Sequence, residues 1–179
     1  MAYDRTAESI ALIEHGLPAP PPRLSRRRRW AALAVDVDDD VACTLFTVRG
    51  PGHVRHETHL LARADGVWTV LGGGGGGGDD GDLADRPTTA RLGAPTVVQG
   101  RGSVLRNAGR LMPWGARYVH DAELLVSSDV HSVVVAGARV LPVPRHGHLV
   151  VVWSGRRPPG VVARDAAGRP LGVVSLGLR

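Results

Sequence analysis

The chain contains no lysine; all 22 of its basic residues are arginine. GC-rich codons favour arginine together with Ala, Gly, Pro, Val and Asp, and the chain is rich in all of these. The basic balance therefore does not by itself mark an anionic partner, despite arginine's aptitude for forked contacts. Cysteine is almost as scarce: the single Cys43 excludes an internal disulfide and hence a disulfide-stapled scaffold. Its apolar neighbours mark it as a small buried hydrophobe. Aromatic residues make up 4% of the chain, with Phe46 the only phenylalanine, so Val, Leu and Ala must fill the core. No apolar run reaches the roughly 18 residues that a membrane span needs. Arg26 to Arg29 followed by Trp30-Ala31-Ala32-Leu33-Ala34-Val35 begins like a secretion signal, but Asp36 and Asp38-Asp39-Asp40 cut it short. A cytoplasmic location without membrane association is the expectation.

Several chemical motifs are missing too. There is no Gly-x-Ser-x-Gly nucleophile turn. The Asp36-Val37-Asp38-Asp39-Asp40 stretch opens like a calcium loop, yet Val41 stands where that loop needs glycine and Thr47 where it needs glutamate. The glycine run at 72–78 is followed by Asp79 and Asp80 rather than a Lys-Ser/Thr pair, which excludes a phosphate-binding loop. No cofactor is indicated.

What is present suits one domain with one core, since 179 residues are too few for two comfortable domains. Residues 4–16 carry Ile10, Leu12 and Ile13 between Asp4 and Gly16, which predicts a helix with an acidic start and a glycine stop. Leu17-Pro18-Ala19-Pro20-Pro21-Pro22 cannot continue it and favours an extended spacer. With Arg23 and Arg26 to Arg29 following at once, residues 1–29 read as a peripheral appendage.

From Trp30 the pattern changes to short Val-rich runs with turn residues between them. Strands are predicted at 30–37, 41–48, 53–63, 66–71, 95–99, 117–127, 130–136, 138–143, 147–154, 160–165 and 170–176. Ala64-Asp65-Gly66 and Asp165-Ala166-Ala167-Gly168-Arg169 read as hairpin turns. Residues 30–179 are thus expected to form an all-β domain, an antiparallel sandwich of immunoglobulin-like type behind a short N-terminal helix. Residues 72–85, seven glycines and then acids, are expected to form a flexible loop. Charge is unevenly divided: +3 over residues 1–29, −7 over 30–85 and +9 over 86–179. Such asymmetry serves either internal attraction or a binding face.

Two constellations could carry chemistry. On a strand, His53, Glu57 and His59 share one face while His56 points to the other, and a His-Glu-His set suits zinc. The set spans roughly 20 Å unless the strand bulges, which weighs against a single ion. His146-Gly147-His148 reads as a turn. The arginines at 26, 27, 28 and 29, with Arg101, Arg106 and Arg110 in an acid-free stretch, could hold an anion or a nucleic acid, and Trp114 or Tyr118 could stack a base.

One resemblance adds to this. The run Val133-Val134-Val135-Ala136-Gly137, then Arg139-Val140-Leu141-Pro142-Val143-Pro144, His148-Leu149-Val150-Val151-Val152-Trp153 and Val161 to Gly172 is similar to small β-sandwich proteins of unknown function from high-GC actinobacteria. It implies the sandwich and such a source, and carries no activity. The reading favoured by the sequence is a non-enzymatic interaction module that docks a protein partner. An anion or nucleic-acid binder is the alternative, and a metal-dependent enzyme using the histidines is a third.

Overall fold

The computed structural model describes residues 3–19, 24–79, 81–108 and 115–177. Its order is α1 (Arg5–His15), β1 (Trp30–Asp38), β2 (Val41–Arg49), β3 (Val54–Ala64), β4 (Val67–Gly78), α2 (Thr89–Leu92), β5 (Thr96–Leu105) and β6 (Tyr118–Val126). β7 (Ser132–Val135), β8 (Arg139–Pro142), β9 (His148–Trp153), β10 (Val161–Arg164) and β11 (Pro170–Val174) follow. Every strand pair is antiparallel, as expected for an all-β chain.

The strands form a first sheet β1-β2-β3-β4, a second β5-β6-β9 and a third β11-β10-β7-β8. Side-chain alternation explains how they stack. On β9, Val150 and Val152 join Leu33, Val41, Cys43, Leu45 and Leu60 in a core against the first sheet. Leu149, Val151 and Trp153, the intervening residues, join Val133, Val135, Val161 and Ala163 in a core against the third. A strand buried on both faces needs apolar residues at nearly every position, which is why Leu149–Trp153 of β9 reads Leu-Val-Val-Val-Trp without alternation.

The first sheet is also covered outside. Asp4 caps α1 by accepting from the Thr6 and Ala7 N–H groups, and the Gly16 N–H closes the helix on the Leu12 carbonyl. Leu12 is buried with Phe46 and Val48, next to Tyr3, Trp30 and Val35. Ser9, with no exposed surface, lies 2.9 Å from both Thr44 Oγ1 and His59 Nδ1. α1 is thus the outermost layer, docked on the first sheet, and it is why β2 is buried from Val41 to Val48.

One correction concerns the glycines. Residues 72–78 are strand, not flexible loop, and pair residue for residue with Leu60 through Val54. A ladder needs only backbone N–H and C=O groups, and the long β3 supplies them. The register shift that leaves Leu71 unpaired marks where the side-chain-bearing half of β4 gives way to the bare half. Asp65 and Gly66, both left-handed at φ 51° and 80°, make the predicted tight turn from β3 into β4. No helix among the described residues is long and apolar enough to cross a membrane.

Candidate metal centre between the first and second sheets

Alternation on β3 sends His56, Thr58 and Leu60 toward the second sheet, and Glu57 and His59 toward α1. The second sheet answers with Asp121 and Glu123 of β6 and with His148 of β9. Asp82, in the turn after β4, completes the group. His56 Nε2 donates to Asp82 Oδ2 at 2.8 Å, and His148 Nε2 lies 3.8 Å from Asp82 Oδ1. The imidazoles of His56 and His148 stand edge to face with centroids 5.1 Å apart. One ligand atom from each of His56, Asp82 and His148 lies within 4.8 Å of the other two, the one such set of three among the described residues.

Tetrahedral ligands about one zinc at 2.0–2.1 Å are separated by about 3.3 Å; His56 Nε2 stands 2.8 Å from one oxygen of Asp82 and His148 Nε2 stands 3.8 Å from the other. On the far side of His56, Nδ1 lies 3.6 Å from Glu123 Oε2, and the Thr58 hydroxyl donates to Glu123 Oε1. A carboxylate behind the distal nitrogen is the arrangement that fixes the tautomer of a metal-bound histidine. Gly78 makes the close approach possible: a Cβ there would stand 3.0 Å from Asp82 Oδ2 and 3.1 Å from His56 Cδ2.

Without a cation the same residues form a proton-sharing network. Burial opposes a charge on His56, but hydrogen bonds to Asp82 and Glu123 outweigh it and bring its pKa to about 9. The same partnership holds both carboxylates below their ordinary range against the effect of burial. His148 is pushed down to about 4 by burial and by the charge on His56, and remains a neutral imidazole. His146 is likewise brought to about 4 by burial and by His148.

Two hollows meet the cluster. One, of about 580 Å³, lies between residues 73–77 of β4 and 99–104 of β5, with His56, Asp121 and Glu123 as its polar wall. The other, of about 460 Å³, is bounded by Asp82, His146, His148, Arg91 and Gln99. Such sizes suit small-molecule or peptide side-chain ligands. Gln99 borders both.

The residues singled out by spacing fall elsewhere. His53 is exposed in the turn before β3, its ring bonded to the Pro51 carbonyl. Glu57 and His59 face α1, with His59 Nε2 3.7 Å from Glu57 Oε2 and Nδ1 on Ser9. The predicted His53-Glu57-His59 set is thus not brought together, because His53 precedes the strand whose alternation was to align it. The histidine that alternation sets apart, His56, is the one in the cluster. Its partners are 26 and 92 positions along the chain, and no local spacing reveals them.

Of the arginines, Arg26, Arg27, Arg28 and Arg29 are exposed side by side before β1. Arg101 is exposed on β5 and donates to the Ser175 carbonyl. Arg106 forks onto Asp40, so its guanidinium is engaged within the chain. Arg110 and Trp114 lie outside the described residues. No protein-family model matches the chain, and neither a curated protein nor a solved structure matches it significantly.

Proposed function

We propose that this protein binds one divalent transition-metal ion, zinc before others, through His56 Nε2, the Asp82 carboxylate and His148 Nε2, and works as a metal-dependent enzyme on a ligand held in the adjoining cleft. The observation that carries this reading is the convergence of three ligand atoms, from three separate elements, within 4.8 Å of one another. Three protein ligands rather than four is the pattern of a catalytic site, which keeps a position open for water or substrate. An ion held there would supply Lewis acidity and a bound water that ionises near neutral pH. The chain's own residues would fix His56 through Glu123 and Thr58, and burial keeps His148 uncharged.

Cobalt(II) substitution tests it. Titration of chelator-treated protein should produce a visible absorption band that saturates at one ion per chain and is absent in His148→Ala. A featureless spectrum would oppose the reading.

For the fold, the face-to-face packing of the second and third sheets over one apolar core supports an immunoglobulin-like sandwich as the scaffold. An interaction-module reading would use the N-terminal segment as a docking element, but α1 already buries Leu12 and Ser9 on the first sheet. An anion-binding reading keeps one supporting feature, the exposed arginines at 26–29. Salt-sensitive retention on heparin, lost when those four become serine, would favour it.

A further inference from the structure

We infer that the cleft between β4 and β5 binds an extended peptide as an added strand, with a basic side chain of that peptide against Asp121. β4 and β5 are the free edges of their sheets and share no ladder. They touch where a Cβ on Gly72 would meet the Val104 methyl groups at 3.2 Å. Beyond that point the cleft of about 580 Å³ separates residues 73–77 from residues 99–103. Five residues of strand run for about 16 Å, long enough for a short extended segment.

The bareness of β4 is directed into this cleft. Gly72, Gly74 and Gly76 lie opposite Leu60, Thr58 and His56, and cross-strand partners share a face. That face is the one turned to the second sheet, so the side chains that would fill the cleft are hydrogen atoms. A Cβ at Gly74 or Gly76 would meet nothing within 4 Å. Edge strands are ordinarily blunted by charge, proline or cover. Residues 72–78 carry none of the first two. An exposed edge with unpaired backbone groups is the template onto which peptides add by main-chain hydrogen bonds.

Asp121 points to the chemistry of the occupant. It is 4% exposed, borders the cleft and has no hydrogen-bond or ion-pair partner among the described residues. Gly102 gives it room, since a Cβ there would come 2.4 Å from Asp121 Oδ1. A buried carboxylate without a partner is costly, and a guanidinium or ammonium group would supply what it lacks. Glu123, two residues on and on the same face of β6, adds a second negative charge. Through Gln99 the cleft leads on to Asp82 and His148, so a bound strand passes the proposed metal ligands. The inference rests on the metal reading for any chemistry done to the peptide, but not for binding.

Fluorescence anisotropy tests it, using labelled, end-capped peptides of about eight residues, Ala/Ser/Thr-based with a central Arg, Glu or Leu. Each is titrated with the full chain, in chelator and again with zinc. The Arg peptide should bind at least about tenfold more tightly than the Glu peptide, and Asp121→Asn should abolish that preference. Gly74→Leu should weaken the Arg peptide by about tenfold or more without lowering the melting temperature. Gly172→Leu, in the third sheet where a Cβ also meets nothing, should leave affinity unchanged. Failure of all three peptides to bind at about 1 mM protein, or full affinity in Gly74→Leu, overturns the inference. Zinc is titrated separately without peptide. Zinc uptake with no peptide binding removes this inference alone, and peptide binding with no zinc uptake removes the metal reading alone.

Discussion

Alanine at Gly73 and alanine at Gly74 should have opposite effects, although the two positions are adjacent on one strand. At Gly73 a Cβ would lie 1.9 Å from the Thr58 carbonyl oxygen and 3.1 Å from its carbon, which are β3 backbone atoms that cannot rotate aside. Ordinary contact requires β4 to retreat by more than about 1 Å, which overpacks the site and disrupts local ladder bonds. Together these cost about 2–4 kcal/mol. At Gly74 the new methyl meets nothing within 4 Å. There alanine removes unfolded-state freedom that glycine retains, and stabilises by about 0.4–1 kcal/mol. The expected gap is about 2.5–5 kcal/mol between two variants of identical composition. Urea unfolding in chelator, followed by tryptophan fluorescence, measures it. If residues 72–78 were a solvated loop, both variants would sit near wild type, and agreement within about 0.5 kcal/mol would refute the strand and its tight packing on β3.

Three further outcomes follow from burial. Leu12→Ala should cost about 2–4 kcal/mol because Leu12 is buried on Phe46 and Val48, whereas exposed Ala11→Ser should cost little; equal stabilities would mean that α1 is not docked. Cys43 is fully buried and its thiol is pushed up by desolvation, so it should ignore an aromatic disulfide reagent until denaturant is added. Rapid labelling of the native chain would contradict that placement. Asp36 is pushed up to about 6, chiefly by burial, against the Val152 N–H and Arg139 that favour its charge. A raised carboxyl pKa means that the folded state holds the proton more tightly. Its contribution is therefore present below about pH 4 and lost as pH rises through 6. The stability of wild type relative to Asp36→Asn should fall by roughly 2–2.5 kcal/mol from pH 4 to 7, and a pH-independent difference would refute the burial argument.

The strands were largely legible in the sequence because their signal is local. Val-rich runs between Asp, Gly and Pro turns place β1, β2, β3 and β6 within a residue or two of where they lie. α1 was legible from Asp4, Leu12 and Gly16, but its docking was not, since Ser9 meets Thr44 and His59 only in space. The second half of β4 was invisible because glycine carries no side-chain pattern, and its strand state comes from β3. The metal cluster was half legible. Alternation correctly put His56 on the opposite face from Glu57 and His59, yet what gives His56 its role is Asp82 and His148, brought in by the sheet stacking.

Zinc binding at equilibrium, measured by competition with a chromophoric chelator on untagged, metal-stripped protein, separates a metal site from a purely hydrogen-bonded cluster at His56, Asp82 and His148. One zinc per chain should bind with a dissociation constant below about 1 µM, weakened at least about 100-fold in His148→Ala and Asp82→Asn and unchanged in His53→Ala. No zinc uptake, or uptake that survives loss of His148, would contradict the metal reading.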